Sequence, residues 1–234
     1  MKEEAVLYEM ELKSMAQIHG VILDVDGTLV DSNDAHAHAW VEAMAEYGYT
    51  VAFEKVRPLI GMGGDKVLPE TLHLDKDSEK GKAISQRRGE IFKERYLSAL
   101  RAFPGAKELL EQMRKRGLKL AIASSAKEDE LKDLLQLVGA SDLVEDKTSS
   151  KDVQRSKPDP DVMHVTLKRI GLPANEVLMI GDTAYDIKAA EKVRVGTIAF
   201  RCGGWKDADL AGAIAIYDGP ADLLKQYDSS PLMR

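Results

Sequence analysis

The sequence predicts an α/β protein built on a parallel sheet, with a separate block of helices inserted early in the chain. Three observations predict it. From about Ala106 onward, short apolar runs alternate with helical patterns, and such alternation makes a parallel sheet with helices on both faces. Between Asp31 and about Ala102 the pattern is helical only. Ahead of both, the apolar run Val21-Ile22-Leu23 reads as a buried strand that runs straight into Asp24-Val25-Asp26-Gly27-Thr28.

Taken in order, the first residues to about 17 carry charges of both signs and lack the apolar core of a signal peptide. They read as a loose tail or an upstream extension, since Met10 and Met15 could also serve as starts. The division expected is a tail (1–17), a sheet-bearing core (18–31 and 103–234) and a helical cap (32–102). In the helical block, Asn33 or Asp34 caps a helix with the apolar stripe Trp40, Val41, Met44 and Ala45, ended by Gly48. Short helices are expected over 53–60 and 66–74, and a long one over 78–100, interrupted by Gly81 and Gly89. Beyond it, helices over 106–116, 127–138 and 160–170 each end at a Gly, and strands fall at 119–123 and near 177–180, 196–199 and 214–216. A last helix runs from Pro220 to about Tyr227.

The chemistry sits where strands end. Two carboxylates two residues apart, Asp24 and Asp26, share one side of an extended backbone unless the chain turns there. They repel unless a cation or a proton lies between them. Asp-Gly after an apolar run is also a hairpin signal. An EF-hand loop is excluded, because Gly27 follows Asp26 directly and the motif follows a strand. Later segments follow the same plan: Ser124-Ser125 after 120–123, Lys157 in Ser-Lys-Pro-Asp-Pro, and Gly181-Asp182-Thr183-Ala184-Tyr185-Asp186 after 177–180. In an open parallel sheet, ligands bind beyond the carboxyl ends of the strands. Four acids, a Lys and a hydroxyl gathered there suit a divalent cation such as Mg²⁺ together with a phosphate. The bland reading is that Ser124 or Ser125, and Asp182 or Thr183, cap the helices that follow.

The four segments, in this order, resemble the motifs of the haloacid dehalogenase-like hydrolase superfamily, over about residues 18 to 227. That resemblance implies a Rossmann-like core with an inserted helical cap and a phosphoric monoester hydrolase. It also implies roles. Asp24 is the nucleophile that forms an aspartyl-phosphate, and Asp26 is the general acid and base. Asp24, the Asp26 main-chain carbonyl and Asp182 hold Mg²⁺. Thr28, Ser124 and Lys157 hold the phosphoryl group, with Asp186 in support. Members that cleave carbon–halogen or carbon–phosphorus bonds resemble Asp-x-Tyr or Asp-x-Ala here. Asp26 therefore favours phosphate esters, which have a leaving alkoxide to protonate. Within the superfamily the chain resembles both phosphoglycolate phosphatases and β-phosphoglucomutases. His36 and Trp40 stand where the mutases carry a His and a Trp. The loop Gly61-Met62-Gly63-Gly64-Asp65-Lys66 lacks the mutase Arg, which favours the phosphatase, although Lys66 could partly replace it. His36 and Lys66 are the expected cap contacts to the substrate's far end. A non-catalytic phosphate-binding protein is the alternative of another class, opposed by the filling of every catalytic-type position.

Composition bounds the rest. Charged residues are 31% and the net charge is −6, which argues against general nucleic-acid binding and leaves a small phosphorylated metabolite as the expected partner. Cys202 is the single cysteine, so no internal disulfide forms; it is read as an inert thiol of a reducing, cytoplasmic compartment. No apolar run is long enough to span a membrane, and the oligomeric state is left open.

Overall fold

The computed structural model describes residues 17–233, so the expected N-terminal tail lies almost wholly outside the described residues. β1 (Gly20–Leu23) is followed by the helical block: α1 (Asn33–Glu46), α2 (Phe53–Val56), α3 (Gly64–Leu72) and α4 (Glu79–Ile91). The sheet then resumes with α5 (Ala106–Lys115), β2 (Lys119–Ala123), α6 (Glu128–Val138), β3 (Asp146–Thr148) and α7 (Asp161–Ile170). It closes with β4 (Val177–Gly181), α8 (Ala184–Glu191), β5 (Gly196–Phe200), β6 (Ala215–Tyr217) and α9 (Pro220–Lys225). The six strands pair in parallel in the order β3-β2-β1-β4-β5-β6.

This order fixes the site. The chain winds outward from β1 through β2 to β3, then returns to place β4 on β1's other side. The reversal makes a switch point at the carboxyl ends of β1 and β4, where open α/β sheets bind ligands. Leu23 stands level with Ile122 of β2 and Ile180 of β4, so the residues just beyond them share one edge.

Strand side chains alternate between the faces, and both faces are dry. Val21 and Leu23 join Leu120, Ile122, Leu178 and Ile180 in one core with α5 and α6. Ile22 faces the other way, onto Met179 and Val162, Met163, Ala189 and Ala190 of α7 and α8. The first core continues into the helical block through Trp40, Met44, Leu68, Ile84 and Phe92.

Three expectations need correction. Asn33 is not a cap: it is the first residue of α1, and Ser32 holds the cap position without a side-chain cap bond. The buried stripe of α1 runs through Asn33, His36, Ala37, Trp40, Ala43 and Met44, whereas Ala45 is exposed. The long helix expected over 78–100 is capped by Ser78 but breaks after Ile91 into a π turn (Phe92–Tyr96) and a 3₁₀ turn (Leu97–Ala99). β3, at the sheet edge, was not expected at all, because Asp146-Lys147-Thr148 carries no apolar run.

Candidate active site

Asp24 leaves β1 with its amide bonded to the Ile180 carbonyl of β4 (2.9 Å), which sets its side chain at the switch point. The chain then turns, with the amides of Thr28, Leu29 and Val30 all donating to the Val25 carbonyl. The two motif acids consequently face different partners. Asp24 Oδ1 takes Lys157 Nζ at 2.6 Å. Asp26 Oδ1 instead takes the Ser32 hydroxyl at 2.5 Å and the His36 ring Nε2 at 2.7 Å.

Lys157 is the hub. It is 1% exposed and lies 2.7 Å from Asp186 Oδ1 as well as against Asp24. Asp186 has two duties: its Oδ2 accepts from the Thr183 amide and hydroxyl, closing a capping box at the start of α8. Thr183 therefore caps that helix, as its bland reading had it, while Asp182 one residue earlier points into the site. Asp182 is held from both sides. Thr28 Oγ1 donates to its Oδ1 at 3.1 Å, and Asn33 Nδ2 to its Oδ2 at 2.9 Å. Thr28, expected on the phosphoryl group, thus has its hydroxyl between Asp182 and Asp24 Oδ2, the latter at 3.5 Å.

The electrostatics follow from the count of charges. Burial pulls the Lys157 ammonium down, but the Asp186 and Asp24 carboxylates outweigh it and hold it well above its usual value. Burial pushes Asp24 up to about 7, against the pull of Lys157 and with the push of Asp186 and Asp26. One shared ammonium is not a full counter-charge for either acid. Asp182 is raised well above the ordinary carboxylate range by burial, then by Asp186 and Asp24. Asp26 goes the other way: burial raises it, but His36, Ser32 and Arg88 together leave it below its ordinary value.

One carboxylate oxygen from each of Asp24, Asp182 and Asp186 lies within 4.8 Å of the others. Three buried carboxylates against one ammonium leave two negative charges, and all the donors are hard oxygens. The set fits a divalent cation of the Mg²⁺ or Ca²⁺ type. Backbone crowds close around it: a Cβ at Gly203 would lie 1.8 Å from Asp182 Oδ2, and one at Gly27, where φ is +74°, 2.2 Å.

The remaining expected residues are placed as follows. Ser124 is buried at the end of β2, its Oγ accepting from the Ala126 amide at 3.0 Å; it does not cap α6, whose cap position is Lys127. His36 bonds Asp26 and stacks on Phe92 at 4.1 Å. Its Nε2 is taken by an acid, and the ring also lines the narrow space beside Asp24 and Asp26. Lys66 pairs with Asp159 at 2.7 Å and lies outside the cleft. Cys202 is half-buried and its thiol is pushed up to about 12, chiefly by burial, as suits an inert thiol.

The helical block covers these groups. The Gly63 amide bonds Ser156 Oγ, Ser125 Oγ donates to the Gly61 carbonyl, and Arg88 pairs with Glu130 at 2.8 Å. The acids open into a narrow space between His36, Trp40, Arg88 and Gly61–Gly64. It continues into a cavity of about 320 Å³ lined by Arg88, Lys76, Lys82 and Lys127. Arg88 was missed by sequence reasoning because α4 is charged throughout. The signal was the buried series Gly81, Ile84, Arg88, Ile91, which puts an Arg on the inward face. Ser32 and Asn33 were missed as well, hidden by their ordinary place at a helix start.

Sheet, switch point and buried acid cluster define the class, a parallel α/β protein with a carboxylate-rich ligand site. The haloacid dehalogenase-like hydrolase family model matches residues 21–200, and the chain belongs to that family. A phosphoglycolate phosphatase from Yersinia pestis is 33% identical over 179 residues, covering 74% of this chain and 77% of that one. A crystal structure of a hydrolase from Pseudomonas syringae is 32% identical with a TM-score of 0.83, covering 90% and 98%. A putative β-phosphoglucomutase from Bacteroides vulgatus is 25% identical with the same TM-score, covering 99% and 98%. The chain also matches Suppressor of quenching 1, a chloroplast protein of Arabidopsis thaliana, at 30% identity over 79% of this chain but 18% of that longer one.

Proposed function

We propose that the protein is a Mg²⁺-dependent phosphatase of small phosphate monoesters, like the phosphoglycolate phosphatases, working through an aspartyl-phosphate on Asp24. The observation that carries the reading is the buried Asp24–Lys157–Asp186 line with Asp182 beside it, an excess of two negative charges at the mouth of the cleft. Lys157 occupies Asp24 Oδ1, while Oδ2 has only the 3.5 Å contact with Thr28. Oδ2 is the free nucleophile, and it attacks phosphorus as the ester P–O bond breaks. Asp26 delivers a proton to the leaving alkoxide. It then takes one from the water that splits the aspartyl-phosphate. Against the upward push of burial, the His36 and Ser32 contacts hold its pKa below the ordinary value, so it stays ionised and can accept the proton in the second task. A bound Mg²⁺, held by Asp24 and Asp182 with the Asp26 carbonyl, would neutralise charge on the phosphoryl oxygens. Ser124 and Lys157 bind those oxygens directly, and residues 32–102 act as the cap that excludes water and bulky substrates.

The test is phosphate release from p-nitrophenyl phosphate and a panel of phosphorylated metabolites with Mg²⁺ present. No release from any of them with any divalent cation overturns the reading, and leaves the phosphosugar mutase and the non-catalytic phosphate binder. The mutase reading is kept on one observation: the cation-lined cavity beyond Arg88 has room for a second anionic group. Transfer of phosphate between positions of one sugar, without release, would establish it.

A further inference from the structure

Asn33 is buried, 2% exposed, and its amide nitrogen has two acceptors: Asp182 Oδ2 at 2.9 Å and the Gly203 carbonyl at 3.2 Å. Two acceptors converging on one end of a carboxamide fix that end as the NH₂, because the reverse orientation would set oxygen against a carboxylate and a carbonyl. Its other atom, Oδ1, is buried without a protein partner. An unmet buried acceptor is destabilising unless something donates to it.

The surroundings make Asn33 a clamp. Thr28 grips Asp182 Oδ1 and Asn33 grips Oδ2, so the carboxylate cannot turn without breaking one bond or the other. Backbone at Gly27 and Gly203 fills the flanks, with a Cβ on Gly27 falling 2.1 Å from Asn33 Nδ2. The Gly203 carbonyl is also held by Arg57 Nη2 at 2.7 Å, and Arg57 Nε reaches Asp34 at 2.5 Å. Arg57 belongs to the helical block, and Asp34 follows Asn33 in α1.

We propose that Asn33 is a positioning residue of the cation site: it sets the orientation of Asp182, and through Gly203 and Arg57 it ties that orientation to the seating of the helical block. The inference rests on the reading of Asp24 and Asp182 as carboxylates for a divalent cation. Partners that orient metal-binding groups typically contribute 10–100-fold in metal affinity.

The experiment is a calorimetric titration with Mn²⁺, without substrate, of the wild type, Asn33→Leu and Arg57→Met. Leucine keeps the size of the side chain and removes the donor. Asn33→Leu is expected to bind Mn²⁺ about 10–100-fold more weakly. Its phosphatase rate should recover in large part at saturating Mg²⁺, so the metal activation constant moves more than kcat. Arg57→Met should weaken Mn²⁺ in the same direction by less, and no change there overturns the tie to the helical block. Unchanged affinity in folded Asn33→Leu overturns the positioning role. Where circular dichroism shows Asn33→Leu unfolded, Asn33→Ser, too short to reach Asp182, carries the same expectation and the same refutation. A wild type that binds no divalent cation refutes the cation reading itself, an outcome distinct from equal affinities in wild type and variant.

Discussion

Lys157→Met tests the electrostatic argument at its centre. Methionine has a similar length and no charge, so the change removes the ammonium and little else. The two carboxylates it leaves behind have side chains 4% and 0% exposed. Removing one partner of a buried ion pair costs about 3–5 kcal/mol, and here two acids lose the same partner, which favours the upper end. For a chain of this size each kcal/mol corresponds to about 2–4 °C, so the melting temperature in chelator should fall by about 6–20 °C. The loss must also depend on pH. Burial already pushes Asp24 up against the pull of Lys157, so without the ammonium it ionises only at still higher pH in the folded protein, and below that pH it is neutral and tolerates burial. The deficit is therefore smallest near pH 5 and largest near pH 8. Urea denaturation of both proteins at the two pH values measures it. A loss under about 1 kcal/mol at pH 8, the scale of an exposed pair, or a loss that does not change with pH, refutes the shared-counter-charge account.

Asp24→Asn should abolish turnover and leave the fold intact, with the metal-free variant more stable than wild type at pH 8 because one buried charge is gone; multiple turnover by pure variant would exclude Asp24 as nucleophile. Chelation should remove activity and Ca²⁺ should inhibit, since Ca²⁺ accepts bidentate carboxylates and can take both Asp24 oxygens; full activity in chelator would refute this. Asp24, raised to about 7, and Asp182, raised well above the ordinary carboxylate range, bind more protons folded than unfolded across the range from the ordinary 3.8 upward. Metal-free stability therefore falls as pH rises through that window. A cation displaces those protons, so the melting-temperature gain from Mg²⁺ should be greater at pH 8 than at pH 5.5, and an equal gain would contradict the shifts. His36→Gln removes the main group opposing burial at Asp26, so the Asp26 pKa rises and the acid limb of the kcat profile moves to higher pH; an unmoved limb separates His36 from the proton transfer. Arg88→Met should change discrimination among small phosphates more than it changes p-nitrophenyl phosphate hydrolysis, whereas Lys66→Ala, which breaks only the Asp159 pair, should alter all substrates alike.

The strands that carry the site were legible because each is a dry apolar run ending in a polar residue, as at 120–123 before Ser124 and 177–180 before Gly181-Asp182. A parallel sheet buried on both faces demands that composition, and the switch-point rule then brings Asp24, Ser124 and Asp182 to one edge without any coordinates. β3 was not legible because its three residues become a strand only by pairing with Ala121–Ala123 at the edge of a sheet already formed. The partner of Lys66 was hidden for a related reason. The loop sequence says that a Lys is near the acids, but its pairing with Asp159, in the segment just before α7 and 93 residues away, is set only by the fold.

What local sequence hides is the second set of bonds around the acids. Ser32 sits at the cap position of α1 and Asn33 and His36 in its first turn, where a polar residue is ordinarily explained by the helix start itself. In the folded chain all three point instead at Asp26 or Asp182. The helix that carries the inserted block thus begins as part of the acid site, and a rotation of that block about 31–33 would pull on both acids at once. The physical reason for the arrangement is the surplus of negative charge. Carboxylates that repel one another need their oxygens held from outside the cluster, and the nearest backbone able to supply donors is the chain that leaves it.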